Sequence, residues 1–318
     1  MAGFIKILKD WTLPVAIAVG TLSYIVFAYI PALDEVGDSL NEVFDLIFPF
    51  SVFLTLFVTF TKVDFRKMRP MRWQLWLILT QLAIVSVVTA VALIVSDEPR
   101  SKIIWESVLT CVIAPCASAA AVVTGKLGGN LNTMTFFTVV SNLLCAITIP
   151  TVFPLLEKAA NLSFISASLI ILQKLALVLL LPLLLGWFVH NFIHPLYRAI
   201  VRRPNLGFYS WGISLAITTG ITVNNICHSS ADLSLLFYIA VLSLAICVIQ
   251  FVIGRTIGNM NGDPINAGQG MFQKNTAMAI LMAYQYLNPI ASIGAGCYVL
   301  WQNIINSYEL WEFRKKNT

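Results

Sequence analysis

Apolar runs of about twenty residues recur along the whole chain, each parted from the next by a short polar or basic stretch. A run of that length crosses the hydrocarbon core of a bilayer as a helix. Only helices and closed barrels keep every backbone polar group satisfied there. Composition agrees: hydrophobic residues make up 58% of the chain and charged residues 11%. Soluble domains run nearer to roughly 45–50% and 25%. The sequence therefore predicts an all-α membrane protein, one transmembrane unit over residues 1–318. Ten spans are expected near 12–31, 44–61, 73–95, 103–125, 130–156, 164–192, 207–226, 233–254, 264–287 and 289–310. The first run, from Trp11, is too long for a signal peptide although Lys6 and Lys9 precede it. The net charge of +5 is spread over short loops rather than gathered on one face, so the partner implied is the lipid bilayer and not nucleic acid. No sequence feature sets an oligomeric state.

Charge orients the spans. Lys6, Lys9, Lys62, Arg66, Lys67, Arg69, Arg72, Lys126, Arg198, Arg202, Arg203, Arg255, Arg314, Lys315 and Lys316 fall on one side, and only Arg100, Lys102 and Lys158 on the other. The excess of basic residues marks the cytoplasmic side, which places both termini in the cytoplasm of a cell with the protein in its inner (plasma) membrane. The acidic loop holding Asp34, Asp38 and Glu42 suits the outer face. Trp11, Trp73, Trp105, Trp187, Trp211 and Trp311 sit at span ends, where interfacial anchoring is expected. The six cysteines lie within apolar runs without metal-ligand spacing and read as small buried hydrophobes.

Two runs are interrupted. In Ala114-Pro-Cys-Ala-Ser-Ala-Ala-Ala121 a proline falls mid-span, where it removes a helix donor and crowds the preceding turn. In Ala267-Gly-Gln-Gly-Met-Phe-Gln-Lys-Asn-Thr-Ala-Met-Ala279 two glycines, Gly268 and Gly270, lead into a cation, Lys274. A lysine at the centre of a span costs about 2.5–3.5 kcal/mol, so it faces protein or water and marks a pathway. The two breaks, at Pro115 and near Lys274, are half a chain apart. Ten spans then divide into two five-span halves of opposite orientation, and paired interruptions in such inverted repeats point to a transporter's binding site. Half-helix N-termini favour an anion. Around them stand Gln81, Ser118, Thr124, Thr138, Ser141, Asn142, Gln273, Lys274, Asn275 and Thr276 as candidate substrate or ion contacts. Buried amides are the costlier of these and favour function, whereas a lone Ser or Thr is commonly bonded to its own helix. Lys174 lies within a span with either Gln173 or the outer interface in reach; His190, His194 and His228 lie near span ends, and Asn224 and Asn225 suit a cap or loop. No hydrolase, metalloprotease or nucleotide-binding motif is present, so the chain is not expected to be an enzyme.

Several stretches resemble the bile acid:sodium symporter family, in its bacterial members. Phe60-Thr-Lys-Val-Asp-Phe-Arg-Lys67 is similar to that family's L-x-x-x-D-F-R exit from span two, and Leu79-Thr-Gln-Leu-Ala-Ile84 to its Q-F-A-I run. Ala114-Pro-Cys-Ala-Ser-Ala-Ala-Ala-Val122 falls where it has C-P-G-G-T-A-S-N-V. Lys274-Asn-Thr-Ala-Met278 falls where it has Q-N-S-G-L, and Trp301-Gln-Asn303 where it has W-H-N. The likeness runs from about 45 to 310. It implies ten helices, with a core domain of spans 3–5 and 8–10 and a panel domain of spans 1–2 and 6–7. Helices four and nine would cross at unwound centres, with substrate between the domains. It also implies two sodium sites behind the crossover, and there this chain departs from the pattern. The span-four Ser-Asn pair becomes Ala120-Ala121, a span-five serine becomes Met134 beside the retained Thr138, and the span-nine glutamate falls at Gly270 or Gln269. The span-nine glutamine becomes Lys274, while Gln81 is kept.

The reading that follows is a secondary active transporter of an organic anion, bile-acid-like or a small carboxylate, working by alternating access without two-sodium coupling. A proton cycling on Lys274 would replace sodium, or Lys274 would stay charged in a uniporter. A sodium-coupled symporter with degenerate sites, and a non-transporting membrane sensor of the same fold, stay open beside it. No cofactor is expected.

Overall fold

The computed structural model describes residues 12–29, 47, 50–62, 69–157, 163–203, 206–229 and 231–317. Lys6, Lys9, Trp11, the acidic loop with Asp34, Asp38 and Glu42, the Asp-Phe-Arg exit from span two and Lys158 lie outside the described residues. Among the described residues the regular secondary structure is helical, apart from one isolated bridge.

In chain order the helices are α1 (Thr12–Tyr29), α2 (Phe50–Thr61), α3 (Arg72–Ile94), α4 (Pro99–Ile113), α5 (Ser118–Lys126) and α6 (Leu131–Leu156). Then α7 (Phe164–Leu175) runs through a π turn, Ala176–Leu180, into α8 (Leu181–Phe192). There follow α9 (His194–Val201), α10 (Leu206–Cys227), α11 (Leu233–Asn261), α12 (Pro264–Phe272), α13 (Thr276–Tyr286) and α14 (Ser292–Asn317). Four helical segments are long and apolar enough to cross a membrane: Arg72–Ile94, Leu131–Leu156, Phe164–Phe192 and Leu233–Asn261. The helical segments among the described residues outnumber the ten predicted spans. Two spans are broken in the middle, and the basic loop before α10 folds into the short helix α9. The π turn falls where Pro182 can give no N–H and its ring crowds the carbonyl of Val178, four residues earlier.

Local chemistry sets the ends. Asn130 caps α6 by accepting from the N–H groups of Asn132 and Thr133, and Asp232 caps α11 by accepting from Leu235. Gly262, at φ 76°, ends α11 in the left-handed conformation, and Asp263 with Pro264 starts α12 at once. The resulting hairpin is tight because a Cβ at Gly258 would lie 2.5 Å from Pro264 Cα, and one at Gly254 would lie 2.7 Å from the Ala267 carbonyl oxygen. α11 also packs on α14 and α4, while α1 packs on α10. The largest apolar cluster joins Leu56 and Phe60 of α2, Val85 of α3, Phe153 of α6, Leu175 of α7 and Met282 of α13.

Three expectations change. Trp73 and Trp211 are buried instead of interfacial; Trp73 is fully enclosed against Phe137, with ring centroids 5.3 Å apart, because helix packing covers that end of α3. Trp187 and Trp311 are exposed, as anchoring requires. Cys227, at the last residue of α10, is exposed where the other five cysteines are buried. Lys174 finds Gln285 rather than Gln173: its Nζ donates to Gln285 Oε1 at 3.2 Å and sits 5.4 Å above the Tyr286 ring.

Candidate functional site

The two interruptions meet. α4 stops at Ile113, and Ala114 to Ala117 run extended before α5 begins; α12 stops at Phe272, and Gln273 to Asn275 precede α13. Pro115 accounts for the first break, since it has no N–H and cannot follow a helical turn without a clash. The two strips pair antiparallel, bridging Cys116 with Lys274. Ala117 N–H donates to the Gln273 carbonyl at 2.8 Å, and Asn275 N–H to the Pro115 carbonyl at 2.8 Å. Backbone groups freed by one break therefore satisfy those freed by the other, which an apolar interior demands.

Side chains take the remaining backbone groups. Cys116 N–H donates to Ser141 Oγ at 2.9 Å. Gln81 Nε2 lies 3.2 Å from the Ala114 carbonyl oxygen and 3.3 Å from that of Val112. Gln302 brackets Lys274, accepting from its N–H at 3.0 Å and donating to its carbonyl at 3.3 Å. Tyr298 Oη donates to the Phe272 carbonyl at 2.7 Å and is itself held by Gln250 Nε2 at 3.0 Å. Asn275 Oδ1 caps α13 by accepting from Met278 N–H.

The side chains of Gln273 and Lys274 are different. Lys274 is 1% exposed, and its Nζ has no hydrogen-bond partner among the described residues. Neither amide atom of Gln273 has one. Lys274 lines a cavity of about 40 Å³ together with Ser118, Asn275 and Thr276 of the breaks. The facing wall is Thr55 of α2 with Trp211, Ser214 and Thr218 of α10. A lysine without a partner beside the hydroxyls of Ser118, Thr276 and Ser214 suits a small anionic group.

The predicted site residues divide accordingly. Ser118, Lys274, Asn275 and Thr276 come together at the cavity, while Gln81 and Thr138 do not line it. Thr138 Oγ1 donates to the Met134 carbonyl of its own helix at 3.1 Å. Gly268 and Gly270 do not break the helix: α12 runs through both. They are close-approach positions, where a Cβ would meet the Arg255 side chain at 2.9 Å and Leu77 and Phe137 at 3.1 Å respectively. Ala120, Ala121 and Met134 are buried hydrocarbon packed with Leu77 and Phe137. Gln269, the other position for the family's glutamate, donates to Asn306 Oδ1 at 3.0 Å and Glu309 Oε2 at 2.8 Å, and Glu309 is ion-paired with Arg255.

The facing wall was missed, although the sequence carried a signal. Ser51, Thr55 and Thr59, and again Ser210, Ser214, Thr218 and Thr222, recur every four residues, so each set shares one helix face. Singly, each is an ordinary helix hydroxyl, and Thr55 and Thr218 do bond to their own helix. Gln302 stood in the Trp-Gln-Asn motif without being singled out.

The profile of the SBF-like CPA transporter family, which is bile acid:sodium symporter-like, matches residues 19–305. The chain belongs to the SBF-like CPA transporter family. It is a multi-pass transmembrane transporter, with paired helix breaks inside the matched region. No curated protein matches the transporter's sequence.

Proposed function

We propose that the transporter moves a small organic anion by alternating access, with the anion's charged head held between Lys274 and the hydroxyls of Ser118, Thr276 and Ser214. The observation that carries this reading is Lys274, buried, with no hydrogen-bond partner for its Nζ among the described residues, and lining one cavity with Ser118, Thr276 and Ser214. In this conformation the space suits a carboxylate head and not a whole steroid. The transport unit has ten spans in two inverted halves, both termini in the cytoplasm and the plasma membrane as its site. Spans 3–5 and 8–10 act as the core that moves against a panel of spans 1–2 and 6–7.

Sodium does not drive it. The residues at the family's sodium positions do not fit the ion: Ala120, Ala121, Met134 and Gly270 offer no side-chain oxygen, and Gln81 presents its amide nitrogen to the carbonyls of α4. Lys274 instead carries the cationic charge at the crossover, and coupling runs through a proton exchanged at its amine.

The test is uptake of labelled taurocholate, pantoate, pyruvate and estrone sulfate into proteoliposomes. The expected result is accumulation of at least one acid, unchanged when choline replaces sodium and raised by an inward proton gradient. Uptake that climbs steeply with sodium overturns the coupling. Uptake indifferent to both ions makes the protein a uniporter with Lys274 permanently charged.

A further inference from the structure

Glu106 stands in the apolar run 103–113 of α4, and its side chain is fully buried. An ionised carboxylate is costly in such a place unless it is paired and hydrogen-bonded. Its two oxygens are served unequally. Oε2 accepts from Asn288 N–H at 3.3 Å, whereas Oε1 has no hydrogen-bond partner among the described residues. Lys102, one turn back on the same helix, holds its Nζ 3.8 Å from Oε1, beyond hydrogen-bond reach. That ammonium donates instead to Glu157 Oε1 at 2.8 Å, where α6 ends.

Glu106 and Glu157 also face each other, close enough for a bond between their side chains. Ionised, both are acceptors only and cannot bond one another. A single proton turns the contact into an O–H···O⁻ bond, which is of the short, strong kind. The same proton settles the charge, since two carboxylates flank one ammonium. Lys102 and Glu157 are the charged groups set against Glu106; α3, α11, α13 and α14, which pack on α4, add none among the described residues. The position joins both breaks. α4 leads into the Pro115 break, and Asn288 opens the turn Pro289–Ala291 that follows α13, the helix leaving the Lys274 break.

We propose that Glu106 and Glu157 form a proton-binding site, with one proton shared between their carboxyls beside Lys102, and that this proton latches the end of α6 to α4 and to the α13–α14 turn. The site is separate from the Lys274 amine and stands whether or not uptake is proton-driven. The proton comes from water and returns to it, so only O–H bonds form and break. Without it two carboxylates repel across one ammonium, and Glu157, the more exposed of the two, is driven outward. Unfolding parts the carboxyls and releases the shared proton, so stability falls as pH rises.

The test uses the purified full-length protein in detergent. Its melting temperature should fall between about pH 5 and about pH 9, and by about 3 °C or more beyond any fall in Glu106→Gln. Glu106→Gln keeps an acceptor for the Asn288 N–H and imitates the protonated acid. Equal falls in the two proteins overturn the latch. The proton itself is read by infrared spectroscopy at neutral pH, as a protonated-carboxyl band that moves in heavy water and is lost in Glu106→Gln. A spectrum without that band, or a band that survives the substitution, overturns the site. Glu157→Gln, at the more exposed partner, should lose the same band and the same pH dependence, and it carries the test if Glu106→Gln does not fold.

Discussion

The two helix breaks share a backbone solution and differ in their side chains. At the Pro115 break the freed backbone finds side-chain partners: Ser141 receives the Cys116 N–H, Gln81 Nε2 covers the carbonyls of Val112 and Ala114, and Cys145 Sγ donates to the Ile113 carbonyl at 3.0 Å. At the Lys274 break the backbone is equally well served by Gln302, yet two adjacent buried side chains, Gln273 and Lys274, have no partner among the described residues. The comparison separates the two. The first break is answered by its neighbours, and the second leaves the side chains of Gln273 and Lys274 without a partner among the described residues.

The largest effect should come from removing that lysine. Lys274→Met should abolish anion uptake, a loss of at least roughly hundredfold if a buried charge contact worth about 3 kcal/mol is lost. The same substitution should raise thermal stability in detergent, because it deletes an unpaired buried cation and strands no acceptor. A Lys274→Met protein that melts well below the parent would show that the ammonium has protein partners after all. Gln302→Leu attacks the support on the same side. It strands the N–H of Lys274, whose carbonyl keeps the Thr276 N–H at 2.9 Å, and should cost about 1.5–3 kcal/mol in denaturant titration.

Ser141→Ala strands one N–H at the other break and should cost about 1–2 kcal/mol by the same titration. A Ser141→Ala penalty larger than that of Gln302→Leu would invert the comparison. The smallest effect belongs to the wall opposite both breaks. Ser214→Ala should weaken anion uptake only a few-fold, shown as a raised KM, for one hydroxyl contact of about 0.5–1.5 kcal/mol, with no change in melting temperature. A lowered melting temperature would make Ser214 a structural residue.

Much of this was legible. Apolar runs of bilayer length force helices, a proline inside one forces a break, and a lysine inside another is too costly to be incidental. What escaped depends on who faces whom. Gly268 and Gly270 looked like helix breakers because glycine is a poor helix former, but neighbours packed against them keep the helix intact and use the missing Cβ. Trp73 looked like an interfacial anchor because it stands at a span end, and only the packing of α6 against it shows that Phe137 covers it. The hydroxyls of α2 and α10 are ordinary one by one, and line a common cavity only when Lys274, more than fifty residues from Thr55, Ser214 and Thr218, is set beside them. The count of membrane passes and the inverted symmetry are read from charge and hydropathy, and stand as proposals.

The bridge between Cys116 and Lys274 bears on how the chain is assembled. Each break needs the other to satisfy its freed amides and carbonyls, yet the two lie on opposite halves of the sequence. During synthesis the first break enters the membrane long before its partner exists. Until then the Pro115 carbonyl and the Ala117 N–H have to be met by water, by lipid headgroups or by an insertion chaperone, since hydrocarbon offers them nothing. Closing so long a loop is slow relative to local helix formation. The bridge is therefore a late event, and an N-terminal half expressed alone should stay an incomplete, protease-sensitive intermediate that a separately made C-terminal half rescues.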